Sequence, residues 1–283
     1  LPSFCSIIHP DMPDVSFRDV QKGLRELGLT QTNCVLVHAS LSAFGPVRGG
    51  AETVVGALTS LCPLVVMPAF TYQCMVWPLV GPPDNAATYG GHEEENANAE
   101  IFRTDLPVHP DIGAVAETLR QMRGAVRSTH PLLSFVAVGA EAEAVLSRQS
   151  LAEPLGPLAY LEEAKADVLL LGVDHAANTA IHYAEHRAGR KQFTRWALTR
   201  GSIVACPAFP GCSDGFAAIA ARAQAFTRST QIGAARVQRL SLFDLLRTAE
   251  ELIRSDPAAL LCSRPDCGRC NAVRASLAPA LAG

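Results

Sequence analysis

Two groups of residues in this sequence have the types and spacing to do chemistry. The first is His182-Tyr-Ala-Glu185-His186. Residues three apart share one face of a helix, so His182 and Glu185 can hydrogen-bond. An imidazole takes up a proton near neutral pH, and an adjacent carboxylate fixes its tautomer and stabilises the imidazolium that forms. That pairing is the pattern of a general base. The same five residues also spell H-x-x-E-H, the pattern of an inverted zinc peptidase, in which two histidines hold zinc and the glutamate activates water. Glu250 and Glu251, on a later helix, are the further ligand donors this alternative needs. An ordinary ion pair on a helix surface is the third reading.

The second group is Cys262-Ser-Arg-Pro-Asp-Cys267-Gly-Arg-Cys270, spaced C-x4-C-x2-C. A C-x2-C turn points two thiolates at one tetrahedral centre, about 2.3 Å from a zinc ion. Three ligands are local and the fourth must come from elsewhere. Cys212, in the turn Phe209-Pro-Gly-Cys-Ser213, is flexible enough to supply it. A closed site of four thiolates is structural, because no position remains for water or substrate, and it would staple the tail to the domain. Surface thiols with one disulfide are the alternative. The total of nine cysteines is odd, and the other five, Cys5, Cys34, Cys62, Cys74 and Cys206, stand singly and read as buried reduced thiols. Arg264, Arg269 and Arg274 make too small a basic face for a zinc ribbon that grips nucleic acid.

The elements that must hold these groups alternate between strand and helix. The spacing predicts a helix over Val15 to Leu27, stopped by Gly28. Cys34 to His38 is a short β-branched strand, followed by a loop of small residues and a helix over Ala51 to Leu61. Pro63 to Thr71 is a second strand, apolar throughout, as in a mainly parallel sheet covered on both faces. From Trp77 to Pro110 no periodic element is visible, and loops of that length are usually functional, so a substrate-facing loop is expected. A helix over Ile112 to Met122, a strand over Leu133 to Val138 and a helix over Ala140 to Arg148 continue the alternation. Asp167 to Val173 is the clearest buried strand, and the helix after it, Ala180 to Ala188, carries His182. This placement suits a ligand site, because open α/β sheets bind ligands beyond the carboxyl ends of their strands. Val204 to Phe209 reads as a strand, and Phe216 to Phe226 and Leu242 to Ser255 as helices. The organisation expected is an α/β core over residues 1–200, with residues 201–283 as a C-terminal helical segment bearing the cysteine-rich subdomain.

At 283 residues the chain suits one large α/β domain or two small ones. Apolar residues at 48% and charged residues at 18% exclude disorder. Lys plus Arg at 24 against Asp plus Glu at 27 gives a net charge of −3, which supplies no broad field for nucleic acid or an anionic membrane. The longest apolar runs, Val65 to Phe70 and Val168 to Val173, fall short of the roughly 20 residues of a membrane span. No basic-then-apolar leader opens the sequence and its first residue is Leu, so a trimmed chain and a cytoplasmic setting are expected. No internal repeat of 20 to 50 residues is present, which excludes a solenoid.

Four stretches occur in order: Val37-His-Ala-Ser-Leu-Ser-Ala-Phe-Gly45, Met67-Pro-Ala-Phe-Thr71, Arg127-Ser-Thr-His-Pro131, and Leu170 through Asn178 to Glu185. With them the chain resembles the aminoglycoside 3-N-acetyltransferase family over nearly its whole length. Its cysteine-rich tail is similar to that of the family's apramycin-acetylating, zinc-containing branch. The resemblance implies a three-layer α/β/α sandwich with a mainly parallel or mixed central sheet and a small zinc-stapled C-terminal subdomain. It implies acetyl-CoA as co-substrate and acetyl transfer to the 3-amine of a deoxystreptamine antibiotic, hence antibiotic resistance. His182, Glu185 and Asn178 fall on the family's catalytic positions. Ser40, Leu41, Ser42, Phe44, Gly45, Val47, Thr71, Arg127 and His130 fall on segments that line the coenzyme tunnel. Their chemistry agrees, since the Ser40 and Ser42 hydroxyls can bond pantetheine amides and Arg127 can pair with a phosphate. A polycationic aminoglycoside, or another polyamine, needs anionic walls, for which Glu93, Glu94, Glu95, Asp105 and Asp174 are candidates, with Tyr72 beside them. Relatives commonly carry an Asp where this chain has Ala176, a departure that bears on the substrate more than on the reaction.

Direct transfer in a ternary complex is the mechanism expected. A cysteine acyl carrier would instead give ping-pong kinetics, and a zinc-binding interaction module would bind no acetyl-CoA at all. Oligomeric state is left open.

Overall fold

The computed structural model describes residues 14–277. Cys5 and the start of the chain lie outside the described residues. Among the described residues ten strands form: β1 Cys34–Ala39, β2 Leu64–Pro68, β3 Met75–Val76, β4 Val126–Arg127, β5 Phe135–Gly139, β6 Asp167–Leu171, β7 Phe193–Thr199, β8 Ser202–Phe209, β9 Thr227–Ile232 and β10 Ala235–Ser241. Seven of them make a central sheet in the order β4-β5-β2-β1-β6-β10-β9, and β3-β7-β8 make a second, smaller one. In the middle, β2, β1 and β6 run parallel. The flanking strands are antiparallel, β5 on β2 and β10 on β6. The central sheet is therefore mixed.

Side chains on successive strand residues face opposite ways, and the buried residues sort accordingly. Val35, Val37, Val65, Met67, Leu169 and Leu171 join one apolar cluster, and Leu36, Leu64, Val66, Val168 and Leu170 join another. The first cluster is covered by α1 (Phe17–Glu26), α2 (Gly50–Leu61) and, beyond the short α3 (Glu93–Ala97), by α4 (Ala114–Gln121). The second is covered by α5 (Ala142–Leu146), α6 (Pro157–Glu163) and α7 (Thr179–Arg187), with residues of α9 (Leu242–Ser255) and α10 (Gly268–Leu277) packed around it and the short α8 (Ala220–Ala223) resting on α9. Three layers result because β1, β2 and β6 are apolar on both faces, and each fully buried Leu or Val contributes about 1.5–3 kcal/mol.

The division expected at residue 200 does not follow the sheet. β9 and β10 both come after that point, yet β10 pairs with β6 from Val237 to Ser241 and β9 pairs with β10. The tail is thus part of the core rather than a helical appendage, and its own small cluster consists of Cys212, Cys262, Cys267 and Cys270 with Leu261 against them. The helix expected over Phe216 to Phe226 is broken into two 3-10 turns around the four-residue α8. Only Phe216, Ile219 and Ala223 of these pieces are buried, too narrow an apolar stripe to demand a continuous helix.

Gly172 shows how the sheet fixes the loop that follows β1. It follows β6 with φ +69, and a Cβ there would lie 2.4 Å from the Ala43 Cβ and 3.3 Å from the Ser40 carbonyl oxygen. Glycine is required by both the left-handed backbone and the close approach. The Ser40 N–H donates to the Leu171 carbonyl at 2.9 Å, which pins the start of the same loop.

Candidate active site

The carboxyl ends of β1, β2 and β6 open on one cleft of about 880 Å³, lined in part by His38, Ser40, Met67, Tyr72, Asn178 and His182. His182 sits one turn into α7. That helix begins where it does because the Asn178 side-chain oxygen accepts from the Ala180 N–H at 3.2 Å, capping its first turn. His182 Nδ1 lies 2.7 Å from Glu185 Oε2, and Glu185 Oε1 accepts from Arg190 Nη1 at 2.7 Å. Glu185 and Arg190 are almost wholly buried, at 2% and 3% side-chain exposure. Arg190 also donates to the carbonyls of Pro257 and Ala259 at 2.8 and 2.7 Å. An ionised carboxylate only accepts, so Nδ1 of the neutral imidazole carries the proton and Nε2 keeps its lone pair for a ligand in the cleft. The Phe216 ring packs against the imidazole in an edge-on arrangement, with centroids 4.7 Å apart and the planes at 62°.

The zinc-peptidase arrangement is not assembled. His186 turns to Glu153, 3.5 Å from its Nε2, while His182 is engaged with Glu185. Glu250 accepts from Arg254 at 2.8 Å, and Glu251 lies near Arg247. Among the described residues, the group of His, Cys, Asp or Glu side chains gathered closely enough for a metal is Cys212, Cys262, Cys267 and Cys270, whose sulfurs all lie within 4.8 Å of one another. All four are buried free thiols.

Of the coenzyme residues expected, Ser40, Leu41, Ser42, Gly45 and Val47 line the cleft, and the Ser40 and Ser42 hydroxyls stand 3.2 Å apart. The others are placed elsewhere. Phe44 is fully buried in the core. Thr71 is fully buried and donates to the Pro131 carbonyl at 2.8 Å. Arg127 is a brace rather than a phosphate ligand. Its fork donates to Ser134 Oγ at 3.1 Å, to the Ala69 carbonyl at 2.6 Å and to the carbonyls of Thr104 and Leu106, which engages four of its five N–H donors with the protein. Burial holds its guanidinium down at about 10. His130 is buried and accepts from the Leu132 and Leu133 N–H groups through Nδ1 at 3.2 and 2.9 Å.

Tyr72 lines the cleft, but the expected acidic wall does not. Glu93, Glu94 and Glu95 form the exposed first turn of α3, where carboxylates suit the positive end of the helix. Asp105 pairs with Arg103 at 3.1 Å, and Asp174 caps a 3-10 turn by accepting from the Ala176 N–H at 2.8 Å. The carboxylates among the lining residues are Asp111 and Asp214. Neither was singled out from the sequence, because lone Asp residues in Pro- and Gly-rich turns carry no local signal. His38 stands in the sequence as the second residue of the Val37–Gly45 motif. It is the penultimate residue of β1, paired with Leu170, is 6% exposed, and its Nε2 is buried without a partner. A histidine closing an apolar strand at its carboxyl end was the signal available.

Burial, with His182 nearby, pushes His38 down to about 3, and burial pushes His130 down to about 4. Both stay neutral in the folded chain while the unfolded chain protonates near pH 6.5. The unfolded state therefore binds more protons below that pH, and stability falls as the pH drops from about 6.5 toward 4. Urea titrations are expected to show a loss of about 3 kcal/mol attributable to His130 over this range. The slope should flatten in His130→Gln.

A family model described as aminoglycoside 3-N-acetyltransferase matches residues 36–254. The chain belongs to the aminoglycoside 3-N-acetyltransferase family. This is a family of acyltransferases, and aminoglycoside N(3)-acetyltransferase III of Salmonella sp is 34% identical over 185 residues, 59% of this chain and 58% of that protein. The match thus spans less than two thirds of the length of such curated relatives. Among solved acetyltransferases, the apoenzyme of AAC(3)-IVa superposes with a TM-score of 0.75 at 27% identity, over 94% of this chain and 99% of that one. A mutant of that enzyme has also been solved in complex with a gentamicin. The binary complex of AAC-IIIb with CoASH superposes with a TM-score of 0.69 at 25% identity, over 86% of this chain and 97% of that one. No described helix of this family member is long and apolar enough to cross a membrane.

Proposed function

We propose that this chain transfers the acetyl group of acetyl-CoA to the 3-amino group of a deoxystreptamine aminoglycoside, in the service of antibiotic resistance. The observation that carries this reading is the buried series Arg190, Glu185, His182, ending at the cleft with one imidazole nitrogen free. The solved relatives with CoASH and with a gentamicin support the two substrate classes.

The Ser40–Val47 loop receives the pantetheine arm, and the amine approaches from the side of Tyr72. His182 Nε2 takes a proton from the amine as its nitrogen bonds to the thioester carbon. The C–S bond then breaks, and the proton on His182 passes to the departing CoA thiolate. Glu185 holds the imidazole in orientation and balances its charge while it is protonated. No acyl-enzyme is needed. Cys212 is the described cysteine that lines the cleft, and it belongs to the cysteine cluster. The thiols of Cys74 and Cys206 are pushed up to about 11 and about 12 by burial, which makes them poor nucleophiles.

The four clustered thiols suit zinc. They are soft donors within mutual reach, the Cys262 N–H donates to Cys270 Sγ at 3.4 Å, and Arg264 donates to Cys212 Sγ at 3.9 Å. Bound there, the ion would supply cross-linking of the tail rather than catalysis, in keeping with the apramycin-acetylating branch. Elemental analysis is expected to find about one zinc per chain, lost in Cys267→Ser.

The reaction is tested by incubating the protein with acetyl-CoA and a panel of amines and following the products by mass spectrometry. The expected result is one added acetyl group on an aminoglycoside and thiol release only when the amine is present. Thiol release without an amine, or no acetylated aminoglycoside, would remove the reading.

A further inference from the structure

The cleft walls are unequally charged. The donor side, around Ser40 to Val47, carries hydroxyls and backbone, whereas Asp111, Asp214, Arg264 and Arg269 line the cleft elsewhere. Two carboxylates and two guanidinium groups cancel, although an aminoglycoside carries several ammonium groups. Asp214 and Arg264 pair with each other at 2.7 Å with side chains 50% and 57% exposed, and Arg264 also donates to Cys212 Sγ at 3.9 Å, so the carboxylate is open to exchange while the guanidinium keeps a second anchor. Asp214 lies two residues beyond Cys212, and Arg264 two beyond Cys262. The pair is therefore carried on the cysteine-centred turns. Two residues further along from Asp214 is Phe216, whose ring packs on the His182 imidazole. Asp111, by contrast, is 82% exposed and next to His109.

We propose that Asp214 selects the acceptor's ammonium groups, with Arg264 as the internal cation that the acceptor displaces. An arriving ammonium takes over the carboxylate, Arg264 turns away from it, and the positively charged antibiotic is held two residues from Phe216, whose ring packs on the base. The assignment rests on the acetyltransferase reading and names the residue that recognises its acceptor.

The test is calorimetric titration of the purified protein with gentamicin and, separately, with CoA. Asp214→Asn is expected to weaken gentamicin binding about tenfold, and Arg264→Gln to tighten it about threefold, by freeing the carboxylate. CoA affinity should stay within about twofold of wild type in both. Asp214→Glu should recover most of the gentamicin affinity, which separates loss of the carboxylate from a local misfold. Equal losses in Asp214→Asn and Arg264→Gln would show the pair to be merely structural and overturn the assignment. A fall in CoA affinity in Arg264→Gln would place the wall with the coenzyme and overturn it as well. A wild-type protein that binds CoA but no aminoglycoside would overturn the acetyltransferase reading beneath it.

Discussion

His182→Ala is expected to lower kcat by about 10²- to 10⁴-fold while the fold and the affinity for CoA persist. The side chain is 12% exposed and reaches the cleft from a helix capped and buried independently of it, so its removal costs a proton acceptor rather than an element of structure. Glu185→Gln should show a smaller loss in kcat, because an amide oxygen still accepts from Nδ1 but no longer balances the imidazolium. Steady-state kinetics with acetyl-CoA and an acceptor aminoglycoside measure both. Turnover near the wild-type rate in His182→Ala would withdraw the assignment of the base, whatever the acceptor.

Arg190→Met is expected to destabilise the protein by about 3–5 kcal/mol, since it leaves the Glu185 charge buried without its partner. It also releases the carbonyls of Pro257 and Ala259, which Arg190 ties to α7. Pairing it with Glu185→Gln should recover much of the loss, because the double variant buries no unpaired charge. Urea denaturation of the two single variants and the double variant tests this. Equal stability of Arg190→Met and wild type would mean that the Glu185 carboxylate finds another cation.

The base and its acidic neighbour were legible in the sequence because one helical turn is a local relation, and His182 and Glu185 lie within it. The cysteine cluster was legible for a similar reason, with three of its four members inside nine residues. Arg190 was not, because its role depends on Glu185 being buried, which no spacing reveals. The bracing role of Arg127 was not legible, because a guanidinium in a matching segment has the right chemistry for a phosphate and only the fold shows donors turned to the protein's own carbonyls. The run Glu93-Glu-Glu95 promised an anionic wall but settles as an exposed helix start, whereas the cleft draws its carboxylates from isolated Asp111 and Asp214. β9 and β10 were missed for a pattern reason. Their residues, Thr-Arg-Ser-Thr-Gln-Ile and Ala-Arg-Val-Gln-Arg-Leu-Ser, are mostly polar, and the apolar signal that exposes β1 or β6 is diluted in strands near a sheet edge.

The place of β10 has a bearing on biosynthesis. β6 is Asp-Val-Leu-Leu-Leu, and one of its two neighbours is supplied some seventy residues later. Until the ribosome has released that partner, a nascent chain carries an apolar ribbon with one flank of N–H and C=O groups unsatisfied, a template for sticking to another copy. Chaperone demand during synthesis, and insoluble product from a chain that ends before β10, follow from that ordering.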